Sequence, residues 1–143
     1  MIDQRMLPQH ISYLECSDHN EVANAIKTMA VRGAPAIGVT AAMGLGLAAY
    51  NSNARSKAKL ISDLETAGHI LRETRPTAVN LFWAIQRVLD KVSSVEGDVD
   101  DARLTAIDEA QLMADEDIET NRRMGKFGAA LLSDGDTVLT HCK

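Results

Sequence analysis

The chain has 143 residues, a formal net charge of −5 and a pI near 5.3, with 45% hydrophobic, 24% charged and only 3% aromatic residues. That length fits one domain with its own core, and an acidic balance without a basic run or stacking aromatics argues against a nucleic-acid groove. Two cysteines, Cys16 and Cys142, are too far apart for a CxxC zinc site or disulfide framework, which favours a reduced, cytoplasmic setting.

The opening "MIDQRMLPQHISYLE" lacks the basic start and long apolar core of a signal peptide. A first helix is expected over residues 18–31. Asp18 would be its N-cap and Glu21 the partner in a capping box, with Val22, Ala25, Ile26 and Met29 on one face and Gly33 as the stop. A second helix is expected over 35–51, with Pro35 at the first position, where its missing N–H costs nothing. The run from Ala34 to Tyr50 is apolar, but it is built of Ala and Gly and falls short of the roughly 20 residues a membrane span needs. It reads as a buried helix, with no membrane partner. Gly38, Ala41, Ala42 and Ala48 make it thin, and each internal glycine costs about 1 kcal/mol against Ala, so packing must sustain it.

A third helix is expected over 57–74, with Leu60, Leu64, Ala67 and Leu71 on its stripe. A fourth follows Pro76 over 77–92, with Ala78, Phe82, Ile85 and Leu89 facing inward. The acidic "SSVEGDVDD" reads as a flexible connection to a long helix over 101–132, with a possible break near Gly125. "SDGD" signals a turn, and "TVLTHCK" is β-branched and apolar like a strand. The fold class is mainly α, with a helical domain over 1–133 and a strand opening a second unit over 134–143.

Within this plan, "MAVRGAPAIGV" interrupts an apolar segment with a charge and a glycine. Arg32, Gly33, Ala34 and Pro35 sit where a helix begins, and the first N–H groups of a helix have no internal partners. With the positive end of the helix dipole behind them, a glycine that admits close approach and a guanidinium fork, they can cradle a phosphate. The competing reading is a helix–helix corner with a solvated arginine. "ETRPTAVN" repeats the arrangement, with Arg75 before Pro76 and Thr77 and Asn80 in the expected first turn. Its plain alternative is a helix capped by Thr74 or Thr77. The two arginines are expected to converge on one cavity and touch the same small anion. Cys142, next to His141 at the carboxyl end of the last strand, can be a low-pKa thiol or a buried structural residue. Cys16 reads as structural, and His10, His19 and His69 as solvating or capping. The carboxylates of "DEAQLMADEDIETN" read as a solvated face paired with Arg122 and Arg123 rather than a metal site.

"VRGAPAIGV", "TRPTAVNLFWA", "NRRMGKFGAALL" and "DTVLTHC" occur here in an order and spacing similar to the methylthioribose-1-phosphate isomerases. Those enzymes are related to the regulatory subunits of initiation factor 2B and to ribose-1,5-bisphosphate isomerases. The resemblance runs from "LECSDHNEVANAI" to Cys142, and "RGAPAIG" with "RPTAVNLFWA" favours the methylthioribose branch. It implies a homodimeric enzyme without a cofactor, with a helical N-terminal part and a Rossmann-like α/β part. Such an enzyme converts 5-methylthioribose 1-phosphate to 5-methylthioribulose 1-phosphate in methionine salvage. It further implies substrate contacts at Arg32, Gly33, Ala34 and Arg75 and a catalytic role for Cys142. Family members continue past the cysteine into an α/β domain carrying a catalytic aspartate. The chain is therefore expected to be a fragment, inactive alone, with a separate C-terminal chain as one source of the remainder. A non-catalytic regulatory or phosphosugar-binding module and a ribose-1,5-bisphosphate isomerase are the alternatives.

Overall fold

Local chemistry decides where each helix starts. In the computed structural model, which describes residues 1–139, helix α1 (His19–Lys27) begins behind Asp18. The Asp18 carboxylate accepts from the amides of Asn20 and Glu21. Glu21 closes the reciprocal bond one residue early, accepting from the Ser17 amide at 2.6 Å rather than from Asp18. The helix stops well before the expected boundary. Thr28 caps it, the Met29 amide bonds the Ile26 carbonyl, and the Ala30 amide bonds the Ala25 carbonyl. This is a Schellman closure, with Met29 at φ 61 where glycine is usual. The stop is therefore Met29, not Gly33.

Gly33, at φ 101, is instead the N-cap of α2 (Ala34–Asn51), and Pro35 is the second residue of that helix rather than the first. Helix α2 packs against each of the other four helices described. Its glycines and alanines are buried around most of the circumference, from Gly38 and Ala41 to Ala48 and Ala49. This all-round burial is the mark of a central helix, and it offsets the poor helical propensity. Helix α3 (Lys57–Thr74) starts at Ser56, whose hydroxyl accepts from the Lys59 amide, and it buries Leu60, Leu64, Ala67 and Leu71 as expected.

Helix α4 (Val79–Ser94) starts later than expected because the Ala78 amide bonds the Arg75 carbonyl across Pro76 and Thr77, closing a turn there. Thr77 therefore stands outside the helix. The buried face is Leu81, Ala84, Ile85, Val88, Leu89 and Val92, whereas Phe82 and Trp83 are 36% and 53% exposed. The expected stripe was rotated toward the aromatic residue.

Helix α5 (Val99–Ala129) draws part of the acidic connection into its first turn. Asp98 and Asp101 form a full capping box. It passes through Gly125 without a break, since one glycine costs only about 1 kcal/mol. Its last buried side chain is Met113. From Ala114 onward, roughly 24 Å of helix at 1.5 Å per residue buries no further side chain.

Beyond α5 the turn at Ser133–Asp136 is formed, with Gly135 at φ 89. Thr137, Val138 and Leu139 belong to no strand among the described residues, and the rest of the expected strand lies outside them. The one β-bridge described joins Ile2 to Tyr13 and folds the N-terminal segment back on itself. No described helix is long and apolar enough to cross a membrane.

Candidate functional site

The helix ends differ in how they are closed. Side chains cap the starts of α1, α3 and α5, through Asp18, Ser56 and Asp98. The starts of α2 and α4 have Gly33 and Ala78 as N-caps, no side-chain cap bond and no acidic residue in the first turn. The carboxyl end of α2, by contrast, is closed by Arg103. Its guanidinium donates to the carbonyls of Ala49, Ser52 and Ala54 at 3.1–3.2 Å. Both open starts follow an arginine in sequence, Arg32 and Arg75, as does the capped start of α3, behind Arg55.

These starts meet. A Cβ built on Gly38 would stand 2.9 Å from the Asn80 carbonyl oxygen and 3.5 Å from the Ala84 Cβ. Glycine at 38 therefore lets the second turn of α2 lie against the first turn of α4. Amides at both starts carry partial positive charge.

Arg32, Gly33, Ala34 and Pro35 are all exposed, while Arg75 is half-buried at the C-cap of α3. Arg32 is held by a residue the sequence reading passed over. The Gln4 side-chain amide donates to the Arg32 carbonyl at 3.1 Å, and Arg32 Nη2 donates to the Gln4 carbonyl at 3.3 Å. The Gln4 backbone amide also bonds the Ala30 carbonyl at 2.8 Å. A polar residue 28 positions away gives no periodic signal, so only the folded chain reveals this brace. Cys142 lies outside the described residues.

A cavity of about 230 Å³ adjoins the corner, walled by Pro35, Val39, Asn80, Trp83, Met113, Glu116, Asp117 and Thr120. Neither arginine is in its wall. Glu116 is engaged by Arg87, which also bonds Glu109 through Nε at 2.6 Å and meets the Glu116 carboxylate at 2.6 and 3.1 Å. The Arg87 guanidinium stands 5.6 Å from the centre of the Trp83 ring, within cation–π range. These bonds hold the Glu116 carboxyl below its ordinary pKa. The acidic helix thus pairs across to α4 through Arg87, which corrects the expected pairing with Arg122 and Arg123. No group of three or more His, Cys, Asp or Glu side chains suited to a metal occurs among the described residues. Cys16 is half-buried against the core, and burial, then Glu21, pushes its thiol pKa up. That fits a structural thiol.

Residues 30–143 match the initiation factor 2 subunit family. The chain is 50% identical to a methylthioribose-1-phosphate isomerase of Petrotoga mobilis and 46% identical to one of Acetivibrio thermocellus, with 99% of this chain and 42% of each relative covered. Among solved structures, 5-methylthioribose 1-phosphate isomerase from Pyrococcus horikoshii OT3 superposes with a TM-score of 0.89 at 47% identity, covering 94% of this chain and 38% of that one. Translation initiation factor eIF-2B, subunit delta, from A. fulgidus superposes with a TM-score of 0.87 at 44% identity, covering 95% and 40%. The chain therefore spans about two fifths of the length of these relatives. The expected mainly helical architecture is the one these structures share with it. The chain belongs to the initiation factor 2 subunit family.

Proposed function

We propose that these residues form the phosphate-anchoring part of an aldose–ketose isomerase that acts on 5-methylthioribose 1-phosphate, a cytoplasmic homodimer when whole. The observation that carries the reading is the pairing of two helix starts without side-chain caps, each behind an arginine. The relatives named methylthioribose-1-phosphate isomerase support the choice of phosphosugar.

The chemistry explains why anchoring matters. A phosphate on the anomeric oxygen blocks simple aldehyde opening, so the site must orient C1 and C2 while ring opening and the hydrogen shift occur. Binding energy at the phosphate supplies that orientation. Arg32, the amides after Gly33, and Arg75 act as the anchor in this reading. Proton movement falls to other groups, with Cys142 one candidate.

Calorimetric titration with 5-methylthioribose 1-phosphate tests the anchor. Arg32→Ala is expected to weaken binding about tenfold or more, the value of a charge-assisted hydrogen bond. Unchanged affinity in that variant contradicts the assignment. The likeness to the eIF-2B subunit supports a second reading, a non-catalytic module using the same corner. Isomerisation by the whole protein containing this chain separates the two readings.

A further inference from the structure

Helix α5 keeps one stripe in register beyond its last buried side chain. Ala106, Ala110 and Met113 are buried, and the same alternation of four-residue and three-residue steps continues through Asp117, Thr120, Met124 and Phe127. Met124 and Phe127 are nevertheless exposed, Phe127 by 73%. The charges on this segment are sorted by sign. Asp115, Asp117 and Glu119 come first, and Arg122, Arg123 and Lys126 follow. None of the six is in an ion pair among the described residues, whereas Glu116 is held by Arg87. Two parallel copies of this segment would set acid on acid. Two antiparallel copies set each acidic block against the other's basic block, so the segment is complementary to itself.

We propose that the segment of α5 from Asp115 to Phe127 docks a second copy of this chain, antiparallel about a two-fold axis near Thr120. With the axis there, Phe127 of each copy comes opposite Met113 of the other. Met113 lies in the wall of the cavity shared with Val39 and Trp83, so the exposed ring gains an apolar seat. Exposed ion pairs add little affinity; the seam holds the copies together and the charges set their direction. The segment from Ala114 to Ala129 is about 24 Å long, which puts the contact at the small, weak end of interface sizes. Association is therefore reversible, with a dissociation constant on the order of 100 μM. The proposal stands apart from the phosphosugar reading.

Sedimentation equilibrium of the 143-residue chain at low ionic strength, from about 10 μM to about 1 mM, tests it. The parent chain is expected to pass from monomer to dimer over that range, and no further. Phe127→Asp should weaken the dimer about tenfold or more. Its thermal unfolding should match the parent's under monomeric conditions, because the position is exposed. Two charge variants read the direction. Asp115→Lys with Glu119→Lys makes the segment basic, and Arg122→Glu with Lys126→Glu makes it acidic. Each should stay monomeric alone, and an equimolar mixture of the two should dimerise. A parent chain that stays monomeric at 1 mM overturns the proposal. So does a dimer indifferent to Phe127→Asp, and so do charge variants that self-associate like the parent or fail to pair when mixed.

Discussion

Gly38 and Asn80 set the distance between α2 and α4. The Asn80 carbonyl oxygen occupies space that any larger residue at 38 would need, since a Cβ there would come within 2.9 Å. The obstacle is backbone, which cannot rotate aside. Gly38→Ala should push the two helix starts apart and destabilise the chain by about 1–3 kcal/mol, the range for overpacking a filled interface. Urea unfolding measures the loss. Phosphate affinity should fall with it, because the paired starts no longer face one ligand.

Met29 bears a cost that glycine would remove. Its φ of 61 places a side chain in the left-handed region, unfavourable by roughly 1–2 kcal/mol for an L-residue. Met29→Gly should therefore raise stability, by about 0.5–1 kcal/mol after the greater flexibility of glycine in the unfolded chain is counted. Its side chain is 45% exposed, so little packing is lost. A lower unfolding midpoint for this variant would contradict the account of the α1 terminus.

Arg87 links stability to pH through Glu116. The guanidinium holds the Glu116 carboxyl below its ordinary value, so the unfolded chain takes up that proton at a higher pH than the folded chain. The stabilisation is complete above the unfolded carboxylate range and is lost as pH falls through the lower folded value. Arg87→Met should cost about 2–3 kcal/mol near pH 7, mainly because Glu109, with its side chain 7% exposed, loses its partner. The difference from the parent chain should narrow below about pH 4. A pH-independent difference would show that charge pairing is not its source.

Gln4 braces Arg32, one residue of the proposed anchor. Gln4→Ala removes the bond to the Arg32 carbonyl, worth about 1 kcal/mol. Phosphate binding should weaken by a few-fold, while the α1 and α3 amides keep their NMR positions. An unaltered affinity would mean that Arg32 is held well enough by its own backbone.

Regular features were legible in the sequence where one physical rule acted alone. The stripe from Leu60 to Leu71 marks α3 over its observed span, and the two arginine-bearing breaks at Arg32 and Arg75 stand out in apolar runs. Rules in competition were harder to read. Met29 takes a glycine's place, Pro76 and Thr77 form a turn instead of a first helical turn, and Asp98 begins a helix inside an apparent linker. Tertiary partnerships left no local trace. Gln4 with Arg32, Arg103 with the end of α2, and Arg87 with Glu109 and Glu116 each join residues more than 20 positions apart.

The central claim is that the starts of α2 and α4 serve one anion, and a double-mutant cycle on Arg32 and Arg75 tests it most directly. Dissociation constants for 5-methylthioribose 1-phosphate would be measured for the parent chain, Arg32→Ala, Arg75→Ala and the double variant. Two arginines on one phosphate are not independent, so the account predicts a coupling energy of about 1 kcal/mol or more. Strictly additive losses, or a loss at only one of the two positions, would contradict a shared site.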